Sequence, residues 1–301
     1  MDEKIDTHDE FYDYFNSRPI KLMLMVIYGS FVALAEIASN ALILVIKLRK
    51  SSEKTGFDML IMNLSIMFII NGFLLVQFMI EELFYEFANE EMCSSFHFLT
   101  QFSITSIIFS LLALVIVARF FPRIDVKRAF YIIAVIWIAS IFDAIPYSRI
   151  KTKTETLKNG SFRTVCSSLP TTFNDFLEYR QKYILMSVIE TGIPSILFII
   201  VSIIALFKPS SLRENRSMLT HSVIIGTIYL TLMLPMRILK ILGDFYFDIS
   251  YGYEVSLKLT LHLVGVVNII LYCYFNKLFY KQFCQFFKIY NNNPELIEAE
   301  M

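Results

Sequence analysis

MCSSFHFLTQFSITSIIFSLLALVIVARFFP, residues Met92–Pro122, is the stretch whose reading decides the fold. Between Cys93 and Arg119 it carries no carboxylate, ammonium or guanidinium group. That is about 25 residues, enough for a helix to cross a hydrocarbon layer of about 30 Å. Its polar groups are graded. His97, Gln101, Ser103, Thr105 and Ser106 occupy the first half, and the second half is almost entirely Ile, Leu, Val, Phe and Ala. A helix polar at one end, apolar at the other and finished by an arginine is expected at the centre of a helical bundle, below a cavity that opens at the cysteine end.

Six further apolar stretches flank it, at about 22–48, 57–79, 129–147, 183–207, 218–242 and 255–275. The chain has 301 residues, 56% of them hydrophobic, and the length of the uninterrupted runs sets it apart from a soluble protein. No ten-residue alternating segments of the kind a membrane β-barrel needs are visible. The fold class expected is therefore an all-α membrane protein, a seven-transmembrane helix bundle. After Asn276, NKLFYKQFCQFFKIY alternates aromatic and basic residues and reads as a short C-terminal amphipathic surface helix. The division expected is an acidic tail over 1–20, a transmembrane domain over 21–276, and a surface helix with a short tail over 277–301.

The net charge is zero, so no global field points to nucleic acid. Four cysteines, Cys93, Cys166, Cys273 and Cys284, are too few for a disulfide scaffold. No zinc-type spacing occurs, and no metal or cofactor is expected. The first residues, MDEKIDTHDEFYDYF, are too acidic for a cleavable signal peptide, which leaves the first span as the targeting signal. Tyr12 and Tyr14 lie among these acids, in a solvated tail or in a lure for a basic ligand.

Lysine and arginine cluster after the first, third, fifth and seventh stretches, as in Lys47, Arg49 and Lys50, or Arg123, Lys127 and Arg128. The positive-inside rule assigns those segments to the cytoplasm and the acidic tail to the outside of a plasma membrane. Cys93 and Cys166 then share the oxidising side and can pair. Asn159-Gly160-Ser161 is the sequon on that side.

With these features the chain resembles a rhodopsin-like G-protein-coupled receptor over about residues 20–290. The landmarks come in order: Asn40, then Asn63-Leu64-Ser65, Arg119, Trp137, Pro146, Pro194, Leu232-Met233-Leu234-Pro235, and Asn268-Ile269-Ile270-Leu271-Tyr272. The resemblance implies a Cys93–Cys166 disulfide and an extracellular ligand, and it implies coupling to a heterotrimeric G protein through Arg119 and Tyr272. Several landmarks depart from the family. Phe68 stands where an aspartate is usual, Ala118 where an acid precedes the arginine, Met233 where an aromatic is usual, and Ile269 where a proline is usual. Without the acid beside Arg119 the resting state loses a charge-assisted pairing, so ligand-independent signalling is expected.

The acidic tail and short third cytoplasmic loop resemble the peptide and chemokine receptor branch, virus-encoded members included. Divergent invertebrate chemosensory receptors, and a decoy that binds without coupling, are the alternatives. His262 stands where an opsin would carry its lysine. Transporter and membrane-enzyme readings find neither paired halves nor a nucleophile with a base.

Ionisable groups inside a bilayer need a partner or a cavity. Glu36 is expected to meet His262, and Asn40 and Asn268 to bridge helices by hydrogen bonds. His97, Gln101, Glu190, Arg237, Lys240, Lys258 and His262 are expected to converge on the external cavity, with Tyr12 and Tyr14 above it. Asp143 is expected simply to reach water. Cys284, set among phenylalanines, is a candidate for palmitoylation or a plain thiol.

Overall fold

The computed structural model describes residues 19–49, 55–84, 90–121, 123–146, 151–156, 162–167, 184–185, 188–207, 213–245 and 251–287. Four long helices come first: α1 (Pro19–Arg49), α2 (Gly56–Phe84), α3 (Glu90–Phe120) and α4 (Val126–Ala144). Two strands, β1 (Lys151–Thr156) and β2 (Phe162–Ser167), pair antiparallel with Thr152 opposite Cys166. A π-helical turn, Val188–Gly192, runs into α5 (Ile193–Phe207). Then follow α6 (Arg213–Phe245), α7 (Tyr251–Phe275) and α8 (Lys277–Phe286).

Six of the described helices are long and apolar enough to cross a membrane, with α2 and α3 at a mean hydropathy of 2.2. Of the described helices, the short α8 and also α4 fall outside this set. Lys127 and Arg128 in the first turn of α4 and Asp143 in its last leave an uncharged stretch of about 21 Å, short of a full hydrocarbon thickness.

Large apolar side chains cover the outside, and polar groups are buried among apolar ones inside. Phe31, Phe130, Val135, Phe142 and Phe207 stand exposed, whereas Glu36, Asn40, Asn63, Gln101, His221 and Asn268 are buried. In hydrocarbon a polar group must find its partner inside the protein, so the apolar faces turn outward and the polar groups inward. The packed centre, around Leu64, Met67, Phe68, Leu111, Tyr229 and Met233, joins α2, α3 and α6.

Cross-helix contacts fix the directions. Asn63 meets Ser110, and Met67 meets Ser103, so α2 and α3 are antiparallel. Glu36 meets His262, and Asn40 meets Asn268, so α1 and α7 are parallel. One end of the helices therefore gathers Cys93, the late part of α2 and α6, and the early part of α7. The other gathers Lys47, Arg119, Tyr272 and α8.

Local chemistry sets the boundaries. Asp125 caps α4 by accepting from the Arg128 amide at 2.7 Å, and Asn276 caps α8 by accepting from the Phe279 amide at 2.8 Å. Pro194 falls in the first turn of α5, and the π-helical turn precedes it.

Three features differ from the sequence reading. The fourth helix begins earlier and ends at Ala144, before Pro146. The fifth apolar stretch is interrupted by the π-helical turn. The segment after α4 contains an antiparallel pair of strands, the first of them Thr-rich.

Candidate functional site

At the Cys93 end a cavity of about 140 Å³ opens between four helices. Its polar walls are Asn71 from α2, His97, Thr100 and Gln101 from α3, Arg237 from α6, and Lys258 and His262 from α7. Its apolar walls include Leu74, Phe78, Phe96, Ile104, Met236 and Leu261. The polar residues of α3 lie at helical spacing and face inward: Gln101 is 2% exposed and Thr105 is buried one turn below it.

Gln101 ties four elements together. Its Nε2 donates to Asp143 Oδ2 at 2.8 Å and to Glu190 Oε2 at 2.9 Å, while its Oε1 accepts from Arg237 Nη2 at 2.6 Å. Thr105 Oγ1 also donates to Asp143 Oδ2. One neutral amide thus bridges two carboxylates and a guanidinium, from α4, the π-helical turn and α6. Asp143, expected to reach water, is instead turned inward. The reason is that α3 offers it two donors, Gln101 Nε2 and Thr105 Oγ1.

A second polar cluster backs the cavity. Glu36 Oε2 lies 2.8 Å from His262 Nδ1, and Asn71 Nδ2 donates to Glu36 Oε1 at 3.3 Å. Glu36 is fully buried, and the backbone of Gly265 passes directly beside it. Asn40 Nδ2 donates to the Gly265 carbonyl at 2.9 Å, and Asn268 Nδ2 donates to Asn40 Oδ1 at 3.1 Å. These contacts draw α1 against α7.

The opposite end is organised by a buried ion pair, Lys47 Nζ to Asp58 Oδ1 at 2.5 Å. Asp58 is held further by Thr55 and receives Tyr272 OH at 3.4 Å. The Lys47 ammonium lies 5.5 Å from the Tyr272 ring centroid, and Asn276 Nδ2 donates to Tyr272 OH at 3.3 Å. Nearby, the Arg119 guanidinium lies 5.7 Å from the Phe120 ring, and its Nε makes no hydrogen bond among the described residues.

The structure therefore brings His97, Gln101, Arg237, Lys258 and His262 to one cavity, with Glu190 reached through Gln101. Glu36 meets His262, and Asn40 meets Asn268. Arg119 and Tyr272 share the opposite end. Cys93 is buried and disulfide-bonded, and Cys273 and Cys284 are free thiols, Cys284 being buried. Tyr12, Tyr14 and Asn159, and the side chains of Cys166 and Lys240, lie outside the described residues.

Sequence reasoning missed Asn71 and the inward turn of Asp143, and it missed the Lys47–Asp58 pair. The signal for the pair was present: an aspartate in the first turn of one apolar stretch, facing a lysine in the last turn of the stretch before it. Among the described residues no group of three or more His, Cys, Asp or Glu side chains is placed to hold a metal ion. No protein-family model matches the chain, and no curated protein matches it significantly.

Proposed function

We propose that the chain is a seven-transmembrane receptor of the rhodopsin-like kind, with α4 as the additional span and α8 lying on the inner membrane surface. On this reading it sits in the plasma membrane with its N-terminus outside. It takes an extracellular peptide or chemokine-like ligand at the Cys93 end and engages a heterotrimeric G protein at the Tyr272 end. The observation that carries the reading is the cavity: polar side chains from four helices meet at the Cys93 end of the bundle. Asp143 supports α4 as a span, because its charge is met by Gln101 and Thr105 rather than by lipid. Cys93 takes Cys166 as its disulfide partner, which draws the β1–β2 hairpin to the cavity mouth. At the far end Arg119 rests over an aromatic ring, consistent with a weakly latched resting state.

The test is nucleotide exchange on a panel of heterotrimers, with the full chain purified into nanodiscs. Exchange above that of empty nanodiscs supports coupling, and Ala118→Asp, which restores an acid beside Arg119, is expected to lower it. Ligand binding without exchange on any heterotrimer would replace this reading with a decoy.

A further inference from the structure

His262 Nδ1 has two polar neighbours. Glu36 Oε2 lies 2.8 Å away and Asn71 Nδ2 3.0 Å away, and the same Nδ2 donates to Glu36 Oε1 at 3.3 Å. A ring nitrogen either carries a hydrogen or offers a lone pair, never both. If Nδ1 gives a hydrogen to Glu36, that N–H is set against the amide hydrogens of Asn71. If Nδ1 instead accepts from Asn71, its lone pair also faces Glu36 Oε2, and Oε2 must then supply a hydrogen. Turning the Asn71 amide over does not remove the conflict. Its oxygen would then lie 3.3 Å from Glu36 Oε1, acceptor against acceptor, unless Oε1 carries a hydrogen. In either orientation, all three contacts are hydrogen bonds only when the Glu36 carboxyl is protonated. Glu36 is fully buried, and no other side chain bonds its carboxyl among the described residues.

Asn71 and His262 are walls of the cavity, and Glu36 lies behind them. A proton on Glu36 therefore has a way out through the imidazole. From these observations we infer that Glu36, Asn71 and His262 form a proton-binding site that opens on the cavity, the described arrangement being its proton-bound form. On release, one proton leaves for cavity water, and the ring hydrogen of His262 moves from Nε2 to Nδ1. Nδ1 then donates to the Glu36 carboxylate, and the contact between Asn71 and His262 is lost. Both residues of that contact line the cavity, so its wall changes with the pH of the solution that fills it. Other ionisable groups share the surroundings. Arg237 and Tyr229 come from α6, His97 from α3, and Lys258 lies one turn before His262 on α7. Glu254, two turns before His262 in sequence, has a side chain outside the described residues. On α1, Glu36 is the one ionisable side chain between Tyr28 and Lys47, and α2 has none between Asp58 and Glu81. The inference stands without the receptor reading.

The test is infrared difference spectroscopy of the full chain in nanodiscs between about pH 5 and pH 9, read at the carbonyl stretch of a protonated carboxylic acid. The expected result is a band present at the acid end and lost at the alkaline end. It is expected to be absent in Glu36→Gln and retained in Glu190→Gln, which removes the other buried glutamate. If Glu36→Gln does not fold, carbon-13 labelling of glutamate together with Glu190→Gln assigns the band in a chain that keeps Glu36. Nitrogen-15 labelling of histidine supplies the second readout. The His262 ring signal, identified by its loss in His262→Gln, is expected to change with the same midpoint as the band. No band at the acid end would mean that the pair is an ion pair, and would overturn the inference. A band that persists unchanged across the range would make the proton structural and would also overturn it. So would a band that survives Glu36→Gln, or a His262 signal that stays fixed while the band is lost.

Discussion

Lys47 and Asp58 show how one pair of charges organises an end of the molecule. Both are buried, and Asp58 also receives Tyr272 and is held by Thr55. Removing one partner leaves the other charge buried without its counterion, which costs about 3–5 kcal/mol. Lys47→Met is therefore expected to lower the thermal midpoint in nanodiscs sharply. The double variant Lys47→Met with Asp58→Asn is expected to regain most of the loss; a double variant no better than the single would show that the pair is not coupled. Gly265 is the second residue-scale case. A Cβ there would lie 2.3 Å from Glu36 Oε1, inside contact distance of a group already fixed by His262 and Asn71. Gly265→Ala is expected to cost about 1–3 kcal/mol by overpacking, read as the same midpoint shift.

Among the elements, α4 is held to the bundle by polar as well as apolar contacts. Phe130, Tyr131, Val135, Ile138 and Phe142 point away from the bundle, while Trp137 Nε1 donates to Asn63 Oδ1 at 2.8 Å and Asn63 Nδ2 donates to Ser110 Oγ at 2.8 Å. Trp137 is the single tryptophan of the chain, so its fluorescence reports this contact alone. Asn63→Leu removes the acceptor and leaves the indole N–H unpaired in an apolar setting. The emission maximum is expected to move to shorter wavelength and the protein to lose about 1–3 kcal/mol; an unchanged spectrum would mean that the hydrogen bond is absent. The helices themselves were legible because a run such as Cys93–Ala118, without a full charge over about 25 residues, has only one reading at its length. The ends were less so. A π-helical turn before Pro194 leaves no mark in hydropathy, and the β1–β2 hairpin falls between two apolar stretches, where hydropathy assigns no element. Which face each polar residue takes depends on neighbours far away in sequence, so Glu36 with His262 was expected on charge alone, whereas Asp143 with Gln101 was not.

The described helices form a bundle apolar both in its core and on its outer surface, and that pattern was legible from run length and from the sparseness of charge within the runs. What composition does not carry is the sidedness, which rests on the distribution of lysine and arginine. An N-terminal epitope is expected to be labelled in intact cells, and a C-terminal epitope only after permeabilisation; labelling of both under one condition would remove the seven-span topology. The placement of one proline bears on how such a body transmits force. Pro235 lies inside α6 and lacks the amide that would bond the Thr231 carbonyl, so the rod is weakest there, and the next two residues, Met236 and Arg237, are cavity walls. From Arg213 to that joint the rod measures about 33 Å, so pivoting it by about 10° displaces its far tip by about 6 Å. Whatever occupies the cavity presses next to the fulcrum of a lever whose long arm ends at the opposite membrane face.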